Sequence, residues 1–219
     1  MVRTPALTAT VDMQAGVTYA DVLRPSGKAY AAFYDAALIL GGSILVGLSA
    51  QAAILLPFSP VPITGQTFAV LLMGALLGAR RASLCMLIYI AEGAAGLPVF
   101  ALGQGGLAVL LGPRGGYIIG FITAAYITGL LAEKGWDRRI GPTLAAMAFG
   151  NMAIYAFGLA WLCCLMGVSR TLLAVGFYPF VIGDLLKIAL AAILLPSGWK
   201  LLTYSRLTGE GVGHVPDKS

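Results

Sequence analysis

Two ionisable residues in an otherwise apolar run carry the clearest chemical signal. Asp184 and Lys187 lie in Gly183-Asp184-Leu185-Leu186-Lys187. Three apart on a helix, they share one face. A charge placed alone in hydrocarbon costs about 3 kcal/mol on an insertion scale, so such residues face inward and are paired or functional. An acceptor beside a donor suits a ligand whose N–H groups flank a carbonyl, such as a urea or an amide. A purely structural ion pair is the alternative.

Further polar side chains extend this set. Glu92 lies near the outer end of the third apolar segment, one turn after Tyr89, and Gln66 opens the second segment. Gln104 sits in the middle of a glycine-rich connector. Arg114 and Tyr117 follow in Gly112-Pro113-Arg114-Gly115-Gly116-Tyr117. The fork of donors on Arg114 suits a ligand carboxylate, with a lipid headgroup as the competing partner. Asn151 and Tyr155, four apart, face one side of the fifth segment. They serve either a ligand or hydrogen bonds between helices. Asp35, Trp136, Trp161 and Trp199 read as interface or packing residues.

Neither a Ser/His/Asp set nor a phosphate-binding G-x-x-x-x-G-K-[ST] loop occurs in the chain, so energy for active transport must come from elsewhere. The single histidine, His214, is in the polar tail. Cys85, Cys163 and Cys164 lie in apolar segments and read as buried small thiols rather than metal ligands. No cofactor is expected.

Helices in a membrane must position these residues. Of 219 residues, 59% are hydrophobic and 11% charged, and the mean hydropathy is +0.89. A soluble fold cannot hide that much apolar surface. The composition excludes a cytosolic enzyme, a nucleic-acid binder and a disordered chain. No charge falls between Asp35 and Arg80, between Arg114 and Glu133, or between Arg139 and Arg170. The first of these stretches is long enough for two crossings, with Pro57, Pro60 and Pro62 as the break between them.

The expected fold is all-α: a polytopic membrane protein of six transmembrane helices, at about Ala32–Leu56, Ile63–Gly78, Ala82–Ala95, Gly116–Leu131, Thr143–Met166 and Pro179–Leu195. Residues 1–30 form an N-terminal segment with no cleavable signal peptide, residues 31–200 the membrane domain and residues 201–219 a tail. The stretch from Val99 to Gly116 is too irregular for a clean helix and too apolar for an ordinary exposed loop. Non-helical backbone at membrane depth is tolerated where protein covers it or where it lines a cavity, so this stretch is the first site candidate, with a loose external connector as the alternative.

Six crossings put both termini on one side, together with eleven of the fourteen lysines and arginines, including Arg24, Lys28, Arg80, Arg81, Lys134, Arg138, Arg139 and Lys200. Arg114 and Arg170 fall on the other side. The positive-inside rule makes both termini cytoplasmic. The proline-rich first loop, the 96–116 connector and the loop from Ser169 to Tyr178 then face outward together as a lid. Small residues recur four apart in the first helix: Ala32 and Ala36, Ala37 and Gly41, Ser43 and Gly47. Such series let another helix approach closely, either within the bundle or from a partner membrane protein.

Several runs in this chain resemble the BioY family. They are Pro60-Val61-Pro62-Ile63-Thr64-Gly65-Gln66-Thr67 leading into Leu71 to Gly78, then Gly96-Leu97-Pro98-Val99-Phe100 with Leu111 to Tyr117. Ile154-Tyr155 with Gly158 and Trp161, and Pro179 to Lys187, complete the set. The resemblance spans roughly Gln51 to Pro196. It implies a biotin-binding membrane component (S component) of an energy-coupling factor transporter, with a six-helix fold and an outward-facing biotin site. It further implies that Asp184 and Lys187 contact the ureido ring and that the connector between the third and fourth helices caps the ligand. By the same resemblance, Ala32 and Ala36 meet a transmembrane coupling protein that recruits two ATPase subunits. The competing functional reading is a secondary transporter of another small metabolite, driven by protons through Glu92 and Asp184. A structural membrane subunit is the third.

Overall fold

The computed structural model describes residues 16–168 and 170–210. His214, Arg3 and Lys218 lie outside the described residues, as do the side chains of Arg170 and Arg206.

Six helices of ten or more residues build the described chain: α1 (Lys28–Gln51), α2 (Gln66–Leu77), α3 (Ala79–Ala94), α4 (Gly115–Glu133), α5 (Ile140–Met166) and α6 (Tyr178–Glu210). On length and composition α1, α4, α5 and α6 can each cross a membrane. With 12 and 16 residues, α2 and α3 reach only about 18 and 24 Å at 1.5 Å per residue, short of the roughly 30 Å hydrocarbon. Phe33, Leu48, Ile182, Leu186 and Leu201 point outward, as the sides of a bundle solvated by lipid require. The protein is a multi-pass membrane protein.

Two elements depart from the predicted boundaries. The first helix, expected to run to Leu56, stops at Gln51, and an antiparallel hairpin follows: β1 (Ala53–Leu56) and β2 (Ser59–Thr64). Its register pairs Ala53 with Thr64 and Leu56 with Ser59. Pro60 and Pro62 stand two apart in β2, so both missing N–H donors fall on one edge of the strand and the other edge is free to pair. The last helix, expected to end at Leu195, runs on through Pro196 to Glu210. Proline disfavours a helix interior but does not forbid it, and tertiary contacts hold the turns beyond it. The Trp199 ring stacks against Tyr19 at 4.3 Å between centroids. Its indole N–H donates to Asp137 at 2.5 Å.

The helix α4 is central, packed against α5, α3 and α2. Close approach is bought with missing side chains. A Cβ on Gly158 of α5 would lie 2.3 Å from the Tyr117 ring of α4. Between α2 and α3 the single residue Gly78, at φ 82°, makes the turn, and a Cβ there would lie 2.7 Å from Glu133.

Among the described residues, Arg24, Arg80 and Arg81 of the basic set assigned to one side meet at one end. Arg81 pairs with Asp21 (2.7 Å) and Asp35 (2.9 Å), and Arg24 with Asp35 (2.6 Å). Asp35 is thus a structural ion-pair partner. The described part of the N-terminal segment packs on this end: Thr18 and Ala20 are buried, and the Tyr19 hydroxyl donates to the Leu195 carbonyl. Trp161 donates to the Gly112 carbonyl at 3.0 Å, in keeping with a packing role. Of the cysteines only Cys85 is buried, while Cys163 is half-buried and Cys164 exposed.

Candidate substrate-binding site

Polar groups from three helices converge on Asp184, itself 5% exposed. Its carboxylate accepts hydrogen bonds from the Tyr155 hydroxyl, from Asn151 Nδ2 (3.1 Å), from Thr67 Oγ1 (3.2 Å) and from Lys187 Nζ (3.1 Å). Lys187 also donates to the Thr64 carbonyl and to Thr67 Oγ1, both at 2.8 Å. An ion pair taken out of water is stable only when its remaining donors and acceptors are satisfied, and here they are. The flanking Leu185 and Leu186 are exposed, so the i, i+3 spacing turns both charges inward as expected.

The pair forms the floor of a cavity with about 600 Å³ of empty space including its mouth. Its wall combines Gln66, Thr67, Arg114 and Tyr117 with an apolar and aromatic lining that includes Phe100, Phe121, Ile154 and Phe180. The hairpin contributes Val61 and Pro62. Tyr117 is fixed by its hydroxyl, which donates to the Gly176 carbonyl at 2.7 Å, in the short helix Arg170–Gly176. Ser59 of β2 donates to the Val175 carbonyl at 2.6 Å. The first loop and the 96–116 connector thus supply residues to one cavity, and the third connector is tied beside it through Tyr117 and Ser59.

Of the predicted site residues, Asp184, Lys187, Gln66, Arg114, Tyr117 and Tyr155 line this cavity. Asn151 stands behind Asp184, and its buried Oδ1 has no hydrogen-bond partner among the described residues. Tyr89 also stands behind the wall. It is fully buried, accepts from Gln66 Nε2, and meets Phe100 edge-on at 5.5 Å. Gln104 lies outside the cavity in an adjoining surface cleft, where its Oε1 accepts from Arg114 Nη1 at 2.9 Å. Arg114 lines both spaces.

Glu92 is a correction to the expected set. It does not line the cavity; it turns to α1, where the Ser43 hydroxyl donates to it at 3.1 Å. A carboxylate in an apolar segment needs a donor, and a neighbouring helix supplied one. Ala32, Ala36, Ala37 and Gly41 are exposed, whereas Ser43 and Gly47 are buried. The small-residue series thus splits into an open face near one end of α1 and an internal packing face near the other.

Sequence reasoning missed Thr67, which bridges the two charges, and the aromatic wall of Phe100, Phe121 and Phe180. Thr67 falls one turn after Thr64 in the first turn of α2, and that spacing was the available signal. Phenylalanines in apolar segments carry none, because a lipid-facing ring reads the same.

Comparison with known proteins agrees with this geometry. The BioY family model matches residues 24–204. A biotin transporter BioY of Rhizobium etli is 39% identical over 162 residues, covering 71% of this chain and 87% of that one. Its counterpart in Thermotoga maritima is 41% identical over 157 residues, covering 72% and 92%. The fold is similar to a crystal structure of the S-component for biotin from an ECF-type ABC transporter. The TM-score is 0.67 at 23% identity, over 77% of this chain and 92% of that one. The chain belongs to the BioY family.

Proposed function

We propose that this protein is the membrane-embedded biotin-binding component of an energy-coupling factor transporter, taking the vitamin from the outer face. The observation that carries the reading is the inward-facing Asp184–Lys187 pair at the floor of a cavity with an apolar wall, in a chain of this family. The ureido ring offers two N–H donors beside a carbonyl. Asp184 accepts from an N–H, and Lys187 donates to the carbonyl oxygen. The aromatic wall covers the bicyclic head, and the fork of Arg114 at the mouth holds the tail carboxylate.

The gathered basic end supports cytoplasmic termini. The open face at Ala32 and Ala36 fits close docking of a transmembrane coupling protein, and ATP hydrolysis belongs to ATPase partners. The alternative, a secondary transporter driven by protons through Glu92 and Asp184, finds less support, since Glu92 does not line the cavity and is engaged by Ser43 of α1.

Mass spectrometry of small molecules released from the detergent-purified protein tests the ligand. Biotin is expected, together with a rise in thermal stability when biotin is added back. A different co-purifying metabolite with no stabilisation by biotin contradicts the proposal.

A further inference from the structure

The turn from Phe100 to Gln104 roofs the cavity. Phe100 and Ala101 line it, and the Phe100 N–H donates to the Gln104 carbonyl at 2.9 Å to close the turn. The turn is tight enough to place Leu102 at φ 65° and Gly103 at φ 66°. A left-handed leucine has a conformational cost, so the turn holds its shape only while its surroundings hold it.

Polar fastenings hold it from two sides. On one side Arg114 donates to Gln104 Oε1 (2.9 Å) and to the Ala101 carbonyl (3.5 Å). On the other side stands Gln51, the last residue of α1. Its Nε2 donates to the Phe100 carbonyl at 3.2 Å, and its Oε1 accepts from the Gly103 N–H at 2.9 Å. The same amide also donates back to the Gly47 carbonyl of its own helix at 3.0 Å. Gln51 thus grips both ends of the turn from a single side chain.

We propose that Gln51 is the latch of the cavity: it ties the 100–104 turn to α1 and sets how fast a ligand enters and leaves. The two fastenings differ in what competes with them. A ligand carboxylate that engages Arg114 competes with Gln104 and Ala101 for its donors, which loosens that side of the turn. Gln51 then carries the polar hold alone. Its side chain is exposed, so water can replace its bonds and opening is local rather than global. Because the latch sits on α1, a displacement of that helix pulls on the roof. Gln51 touches no ligand and acts through the turn as a positioning residue. Its effect on biotin exchange rests on the proposed function, but its effect on access to the cavity does not.

The test is therefore read without ligand. A cysteine replaces Ile118 in the cavity wall (Ile118→Cys), with the three native cysteines changed to alanine, and its rate of modification by a small polar maleimide is measured. Gln51→Met keeps the length and loses both bonds; it should raise the rate about tenfold, as two modest hydrogen bonds imply. Gln51→Glu keeps the acceptor for Gly103 and should fall between. Melting temperatures of the variants should fall by no more than the few degrees that a tenfold change implies, which separates a latch from a general loss of stability. Bound biotin should dissociate faster from the Gln51→Met protein by a similar factor. Equal labelling in Gln51→Met and in the parent protein overturns the proposal. Faster labelling without any biotin binding would leave the latch standing and remove biotin as the ligand.

Discussion

Thr67 occupies the position between the two charges, accepting from Lys187 and donating to Asp184. Valine has the same shape without the hydroxyl. Thr67→Val should therefore leave the fold intact and weaken biotin binding by about tenfold, from the loss of one or two hydrogen bonds inside a low-dielectric cavity. Unchanged affinity by titration calorimetry would show that the hydroxyl only fills space. The charged pair was legible in the sequence because ions are rare in apolar segments and their i, i+3 spacing fixes a common face. Thr67 was not, since threonine is frequent in first helical turns and its partners lie 117 and 120 residues away. Glu92 was legible as a charge, but its direction depends on a donor on α1, 49 residues away, which a linear pattern does not carry.

At the scale of elements, the end of α6 depends on contacts that lie far apart in the chain. Asp137, in the α4–α5 connector, is 1% exposed. Burial, opposed in part by the Trp199 N–H and by Arg138, pushes its carboxyl up to about 6. A carboxyl raised in the folded protein favours folding most below its unfolded value, near 3.9, and that contribution is lost as pH rises through about 6. Asp137→Asn keeps an oxygen for Trp199 and removes the charge. The variant should therefore gain stability over the wild type as pH increases from 4 to 7, by at most about 3 kcal/mol. Melting curves across that range check the sign; an advantage for the wild type at pH 7 would refute it. Gly78→Ala addresses the α2–α3 turn. With φ at 82° and ψ at 170°, a region essentially reserved for glycine, and Glu133 within 2.7 Å of a new Cβ, it should cost about 1–3 kcal/mol, read as a lower melting temperature. The helices themselves were readable from charge-free runs. The hairpin was not, because prolines announce a break without saying what fills it, and neither was the passage through Pro196, which is held by Tyr19 and Asp137.

The whole molecule combines a cavity at one end with an open small-residue face on α1 and a basic cluster at the other. Ala36→Leu should leave biotin affinity within about twofold, because Ala36 is exposed and outside the cavity. It should reduce uptake by cells carrying the coupling protein and ATPases at least tenfold, since a bulky side chain forbids close helix approach. Normal uptake would move the docking surface elsewhere. The charge asymmetry and the apolar runs were legible at this scale. That two of the lid connectors supply one cavity and the third is tied beside it fits their expected common side, whereas the aromatic lining emerged only from the packing. The central claim is that Asp184 and Lys187 together grip the ligand head, and equilibrium binding of radiolabelled biotin to purified wild-type, Asp184→Asn and Lys187→Ala proteins tests it most directly. The account predicts saturable binding to the wild type and a loss of at least a hundredfold in each variant, with both variants still inserted and folded. Wild-type affinity in either variant would contradict it.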